Sequence, residues 1–111
     1  MDHRLFLDHI RRTRFAPGDH AAAQADARRI ARVLREEGAS RVVGIGSAFV
    51  PNRRFTTRSD IDLVVEGLPP QRFFRASARA ADMTAFELDL TPAEAAADYM
   101  RRAVDDEGVD L

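Results

Sequence analysis

The chain has 111 residues, 45% of them hydrophobic, and its seventeen basic and eighteen acidic side chains leave a net charge of −1. That is the size of one compact domain with enough apolar material for a core, which excludes wholesale disorder; the balanced charge supplies no global field for nucleic acid or an anionic membrane. Cysteine and lysine are both absent, which excludes disulfides, thiolate catalysis, cysteine-ligated zinc, lysine nucleophiles and a P-loop lysine.

The opening "MDHRLFLDHIRRTRF" is charged throughout. It offers no apolar run long enough for a signal peptide or membrane span, so a cytoplasmic protein is the expectation. Asp2 to about Thr13 reads as a short helix with Leu5, Phe6, His9 and Ile10 on one side. "APGD" then breaks the chain and leaves Asp19 as an N-cap, so residues 1–18 read as a helical extension and 19–111 as a single domain. From His20 to Glu37 the apolar residues Ala23, Ala27, Ile30, Ala31 and Leu34 recur at helical spacing, and Gly38 is suited to stop the helix.

"RVVGIG" (Arg41 to Gly46) is a short β-branched run and predicts a strand. An irregular stretch to Ser59 follows, interrupted by Pro51, and then "DIDLVVE" predicts a second strand ended by "GLPP". Gln71 to Met83 is helical in character, with Phe73, Phe74, Ala78 and Ala81 available for packing. "AFELDL" (Ala85 to Leu90) alternates apolar and acidic residues, the pattern of a half-buried strand. Beyond it, Thr91 as N-cap, Pro92 at the first helical position and Glu94 as the capping-box partner predict a closing helix. Strands alternating with helices give an α/β (α+β) domain: a small mixed sheet flanked by helices.

Asp60 and Asp62 are two apart on a strand and so share a face, opposite Ile61 and Leu63. In "AFELDL" the acids Glu87 and Asp89 fall opposite Phe86, Leu88 and Leu90. If the two strands are neighbours, Asp60, Asp62 and Asp89 converge, and three like charges so close are favourable only around a hard cation. Oxygen-only ligands select magnesium or manganese. If the strands are apart, these are two solvated faces whose acids never meet.

"GIGSA" (Gly44 to Ala48) follows a strand and opens a turn whose backbone N–H groups, with the Ser47 hydroxyl, suit a phosphate; Gly46 lets a ligand approach the backbone. Phe49 stands where a dinucleotide fingerprint needs a third glycine, so that motif is absent. His3, His9 and His20 have no carboxylate framework and read as surface or helix-packing residues rather than metal ligands. Tyr99 reads as packing, and Phe73 and Phe74 as core or a partner-facing edge.

Taken together, "GIGSAF…SDIDLVV…FELDL" resembles the minimal nucleotidyltransferases (MNT) of the DNA polymerase beta superfamily, over roughly Asp19 to Leu111. Their signature is a Gly-Ser pair ending a strand, an Asp-x-Asp on the next strand and a third Asp further on. The resemblance implies a polymerase-beta palm-like fold, with Gly46 and Ser47 binding the nucleotide and Asp60, Asp62 and Asp89 as catalytic residues and metal ligands. It also implies two Mg²⁺ ions (Mn²⁺ possible) and transfer of AMP from ATP to an acceptor hydroxyl, with a tyrosine of a HEPN-domain toxin as acceptor and an antitoxin role. No membrane and no direct nucleic-acid partner are implied. Two alternatives stay open: a non-catalytic antitoxin that keeps the fold and binds by contact, and a small-molecule nucleotidyltransferase of the aminoglycoside type. The chain departs from the family pattern after the Gly-Ser pair. "AFVPNRRF" stands where an Ala-Arg-Gly turn is usual, and Arg53, Arg54 and Arg58 are the candidates to supply that guanidinium.

Overall fold

The computed structural model describes residues 20–50 and 60–111, with Asp60 described in its backbone. The expected first helix, the Asp19 cap, the segment containing Arg53, Arg54 and Arg58, and the division at residue 18 lie outside the described residues.

Helix α1 (His20–Glu36) buries Ala23, Ala27, Ile30, Ala31 and Leu34, and Arg28, Arg32 and Arg35 are exposed. Gly38, at φ 119°, ends it: the Gly38 N–H donates to Arg35 O at 3.0 Å and the Ala39 N–H to Leu34 O at 3.0 Å, closing carbonyls that a helix end leaves without partners. Strand β1 (Arg41–Ile45) follows, then β2 (Asp60–Glu66). Helix α2 (Pro70–Ala81) starts with a proline in its first turn, where the missing N–H costs nothing.

The next two elements differ from expectation. Strand β3 is Glu87–Pro92, shifted towards the C-terminus from Ala85–Leu90. Thr91 and Pro92 continue the ladder beside Val64 and Val65, so Thr91 caps no helix. A 3₁₀ turn at Ala93–Ala95 intervenes, and helix α3 begins only at Asp98 and runs to Glu107. Tyr99, expected to pack, is 67% exposed, being one residue into that delayed helix. A fourth strand, β4 (Val109–Asp110), was not expected. It pairs with Val43 and Gly44 of β1, too short for any alternation to show in the sequence.

The sheet order is β3-β2-β1-β4, with β2 parallel to β3 and antiparallel to β1. Ile61, Leu63 and Val65 of β2 join α1 and α2 in the main core, while Val43, Ile45 and Val64 point to the opposite face, where Met100, Ala103 and Val104 of α3 pack. Ile30 and Leu34 are fully buried, each worth about 1.5–3 kcal/mol in area removed from water. Among the helix residues expected to pack, Phe73 joins this core, whereas Phe74 is 85% exposed.

A buried carboxylate joins the two helices of the main core. Glu37 is 7% exposed and accepts hydrogen bonds from Arg75 Nη2 at 2.7 Å and Arg79 Nη1 at 3.1 Å, while Arg72 donates to its main-chain carbonyl at 3.2 Å. The Arg75 hydrogen bond, against the opposing effect of burial, holds the Glu37 carboxyl below its ordinary 4.5, and Arg79 adds to it. A carboxyl whose pKa falls on folding stabilises the folded state above its unfolded value and loses that contribution as pH drops through the folded one. Urea titrations of Glu37→Gln should therefore show a stability loss at neutral pH that shrinks steadily below pH 4.5; a loss of equal size at every pH would contradict this.

The close packing of β1 sets a second expectation. A Cβ on Gly44 would lie 2.5 Å from the Phe49 ring, so Gly44→Ala forces the ring out of a buried site at a cost of about 1–3 kcal/mol. In a Phe49→Leu background the same substitution should cost less than half as much, measured by the change in denaturation midpoint.

Candidate active site

Beyond Ile45, Gly46 adopts φ 83° and turns the chain away from the sheet. The Phe49 N–H donates to Gly46 O at 3.0 Å, closing a four-residue turn with Ser47 and Ala48 at its centre. Ala48 is fully buried and Ser47 half-buried. Two contacts hold the turn from below. The Phe49 ring lies over Gly44, and Gln24 Nε2 of α1 donates to Ala48 O at 3.0 Å.

Asp62 stands opposite Ile45 in the antiparallel pair and beside Asp89 in the parallel pair. Neighbouring strands are about 4.8 Å apart, so these two acids are immediate neighbours. Asp60 pairs with Glu87 in the same register, so each acid of β3 stands beside one acid of β2. Asp62 is half-buried, and Asp89 and Glu87 are exposed. The position of the Asp60 carboxylate lies outside the described residues, and among the described residues no group of three His, Cys, Asp or Glu side chains is placed to hold a metal ion.

The Gly46 turn and the Asp62 carboxylate touch. A Cβ on Gly46 would lie 3.0 Å from Asp62 Oδ2, so the space over Gly46 is already taken by that oxygen. The arrangement sets adjacent carboxylates next to a turn with backbone N–H groups to offer. Its donors are oxygens alone, a set that suits magnesium or manganese, and an anion held by the turn would lie beside any cation held by Asp62.

Gln24 and Phe49 were not singled out by the sequence. Gln24 carried a usable signal: it falls three, seven and ten residues before Ala27, Ala31 and Leu34, in line with the buried face of α1. A polar residue in that line needs a partner. Asp26 is a second such interruption, and it accepts from the Thr84 hydroxyl at 2.8 Å and from Arg29. Thr84 in turn accepts the Phe86 N–H at 3.1 Å, so α1 also fixes the approach to β3.

No protein-family model matches the sequence, and no curated protein matches it. Solved structures do. The Shewanella oneidensis complex of a tri-AMPylated HEPN toxin with an MNT antitoxin matches with a TM-score of 0.57 at 19% identity, over 79% of this chain and 70% of that one. An MntA–HepT toxin–antitoxin complex matches with a TM-score of 0.56 at 18% identity, over 78% and 69%. A toxin–antitoxin structure with AMP-PNP gives 0.60 at 19% identity, over 76% and 70%. The chain therefore has the nucleotidyltransferase-like fold of the MNT structures, a mixed sheet flanked by helices.

Gly46→Ala combines a left-handed backbone with a methyl group against the Asp62 carboxylate. It should lower stability by about 1–2 kcal/mol and shift the Asp62 side-chain carboxyl resonance, both measurable on the purified protein; an unchanged resonance would contradict the contact.

Proposed function

We propose that this chain is an MNT-family nucleotidyltransferase that transfers AMP from ATP to a hydroxyl on a HEPN-type partner, acting as its antitoxin, with a tyrosine as acceptor. The observation that carries the reading is the pairing of Asp62 with Asp89 beside the Gly46 turn. The structures that share the fold support it through what they contain: a HEPN toxin bearing AMP groups and a toxin–antitoxin with AMP-PNP.

In this reading Asp60, Asp62 and Asp89 would hold Mg²⁺. The bound metal would neutralise phosphate charge and lower the proton affinity of the acceptor hydroxyl. The Gly46 and Ser47 amides and the Ser47 hydroxyl bind and orient the β- and γ-phosphates. Asp89, exposed on β3, faces the acceptor and takes its proton, which passes on to solvent. The acceptor oxygen bonds to the α-phosphorus, the bond from that phosphorus to the bridging oxygen breaks, and pyrophosphate leaves.

The test mixes the protein with its HEPN partner, ATP and magnesium, and follows intact mass. Wild type should add AMP units to the partner. Asp60→Asn and Asp89→Ala should slow transfer by at least about a hundredfold, no less than the loss of a single donor that stabilises developing charge, and Asp89→Ala should keep measurable ATP binding. If wild type forms no adduct and both variants still neutralise the partner in cells, the protein acts by contact alone.

A further inference from the structure

The Gly46 turn is fixed by a residue far from it in sequence. Ala48 has no exposed surface, so its carbonyl is cut off from water, and a buried carbonyl without a donor is costly. Among the described residues, the donor that reaches it is Gln24 Nε2, at 3.0 Å and from 24 positions earlier. That hydrogen bond orients the peptide between Ala48 and Phe49, whose N–H closes the turn on Gly46 O. The Phe49 ring seats the same peptide against Gly44. With the Ala48–Phe49 peptide held by both the ring and Gln24, and closed on Gly46 O, the half-exposed Gly46 and Ser47 amides before it keep one direction.

We propose that Gln24 is a positioning residue for phosphate binding: it touches no substrate itself but sets the orientation of the turn amides that would hold the β- and γ-phosphates. The assignment rests on the nucleotidyltransferase reading above. It makes α1, otherwise a core helix, the part of the fold that fixes nucleotide affinity. Its selectivity follows from the phosphates involved: ATP reaches the turn with its outer phosphates, and AMP has none to offer.

The experiment uses the full chain with Gln24→Met, which has similar length but no donor, and Gln24→Lys, which restores one. A third variant, Gln24→Asn, keeps the amide but falls a methylene short, and serves where methionine disturbs packing. In Gln24→Met the Phe49 amide should exchange with solvent at least about tenfold faster while the Val42 and Val43 amides keep their rates. Affinity for ATP with magnesium should fall about threefold to tenfold, the range one hydrogen bond supports, and affinity for AMP should stay within about twofold. Gln24→Asn should behave like Gln24→Met, and Gln24→Lys should recover most of the ATP affinity. Unchanged Phe49 exchange in Gln24→Met and Gln24→Asn, or equal weakening of ATP and AMP, overturns the role of Gln24. A wild type that does not bind ATP overturns the nucleotidyltransferase reading and the phosphate role with it. A wild type that binds ATP no better than Gln24→Met does overturns the Gln24 assignment alone.

Discussion

Parallel pairing of β2 with β3 sets Asp62 beside Asp89, and parallel neighbours cannot be joined by a tight turn. The chain must therefore cross over through α2, and the position of α2 decides whether β3 arrives in register. A slip by one residue would turn Asp89 to the core and Leu88 or Leu90 to solvent. Two polar attachments oppose such a slip. Glu37, at the end of α1, grips Arg75 and Arg79 of α2, and Asp26 of α1 receives the Thr84 hydroxyl just before β3. The acidic pair thus depends on α1, which contributes no acid to it.

The same helix governs the other half of the site. Gly44 and Gly46 are two apart in "GIGSA", yet they serve opposite faces. At Gly44 the missing side chain makes room for the Phe49 ring from within the protein; at Gly46 it makes room for Asp62 Oδ2 at the sheet end. Only Gly46 needs a positive φ. The turn is therefore clamped between a ring below and a carboxylate beside it, and Gln24 adds the third fixed point. Fixed dipoles aimed at a bound group cost no reorganisation when charge develops there.

How much of this the sequence carried can be judged residue by residue. Period-2 alternation in "DIDLVV" and "FELDL" placed the acids on one side of each strand, and the buried Ile61, Leu63 and Phe86 agree. What alternation cannot supply is adjacency: that β2 and β3 are neighbours depends on long-range packing of α2, of which a single sequence carries little trace. The capping pattern Thr91-Pro92-Glu94 misled because ladder bonds beside Val64 and Val65 outcompete a local cap worth about 1 kcal/mol. Strand β4 was invisible for a different reason. Its two residues pair with Val43 and Gly44, held by an exposed ion pair from Arg41 to Asp110 and, just beyond the strand, by the Leu111 N–H donating to Val42 O at 2.9 Å, and Gly108 passes where a Cβ would lie 2.7 Å from Val43. No residue type in "EGVDL" announces such contacts.

The two faces of the sheet divide the work. Fully buried side chains on the α1 and α2 face include Ile30, Leu34, Ile61, Leu63 and Val65. The other face buries Val43, Ile45 and Val64 under α3, a helix with no buried residue of its own. By strand alternation Asp62 lies on this second face, two residues before Val64, with the exposed Asp89 beside it. Two like charges directly across a sheet are destabilising, whereas one fully buried leucine such as Leu34 contributes about 1.5–3 kcal/mol. Most of the buried apolar side chains thus lie on the face away from the acidic pair, with a smaller cluster under α3 on its own side.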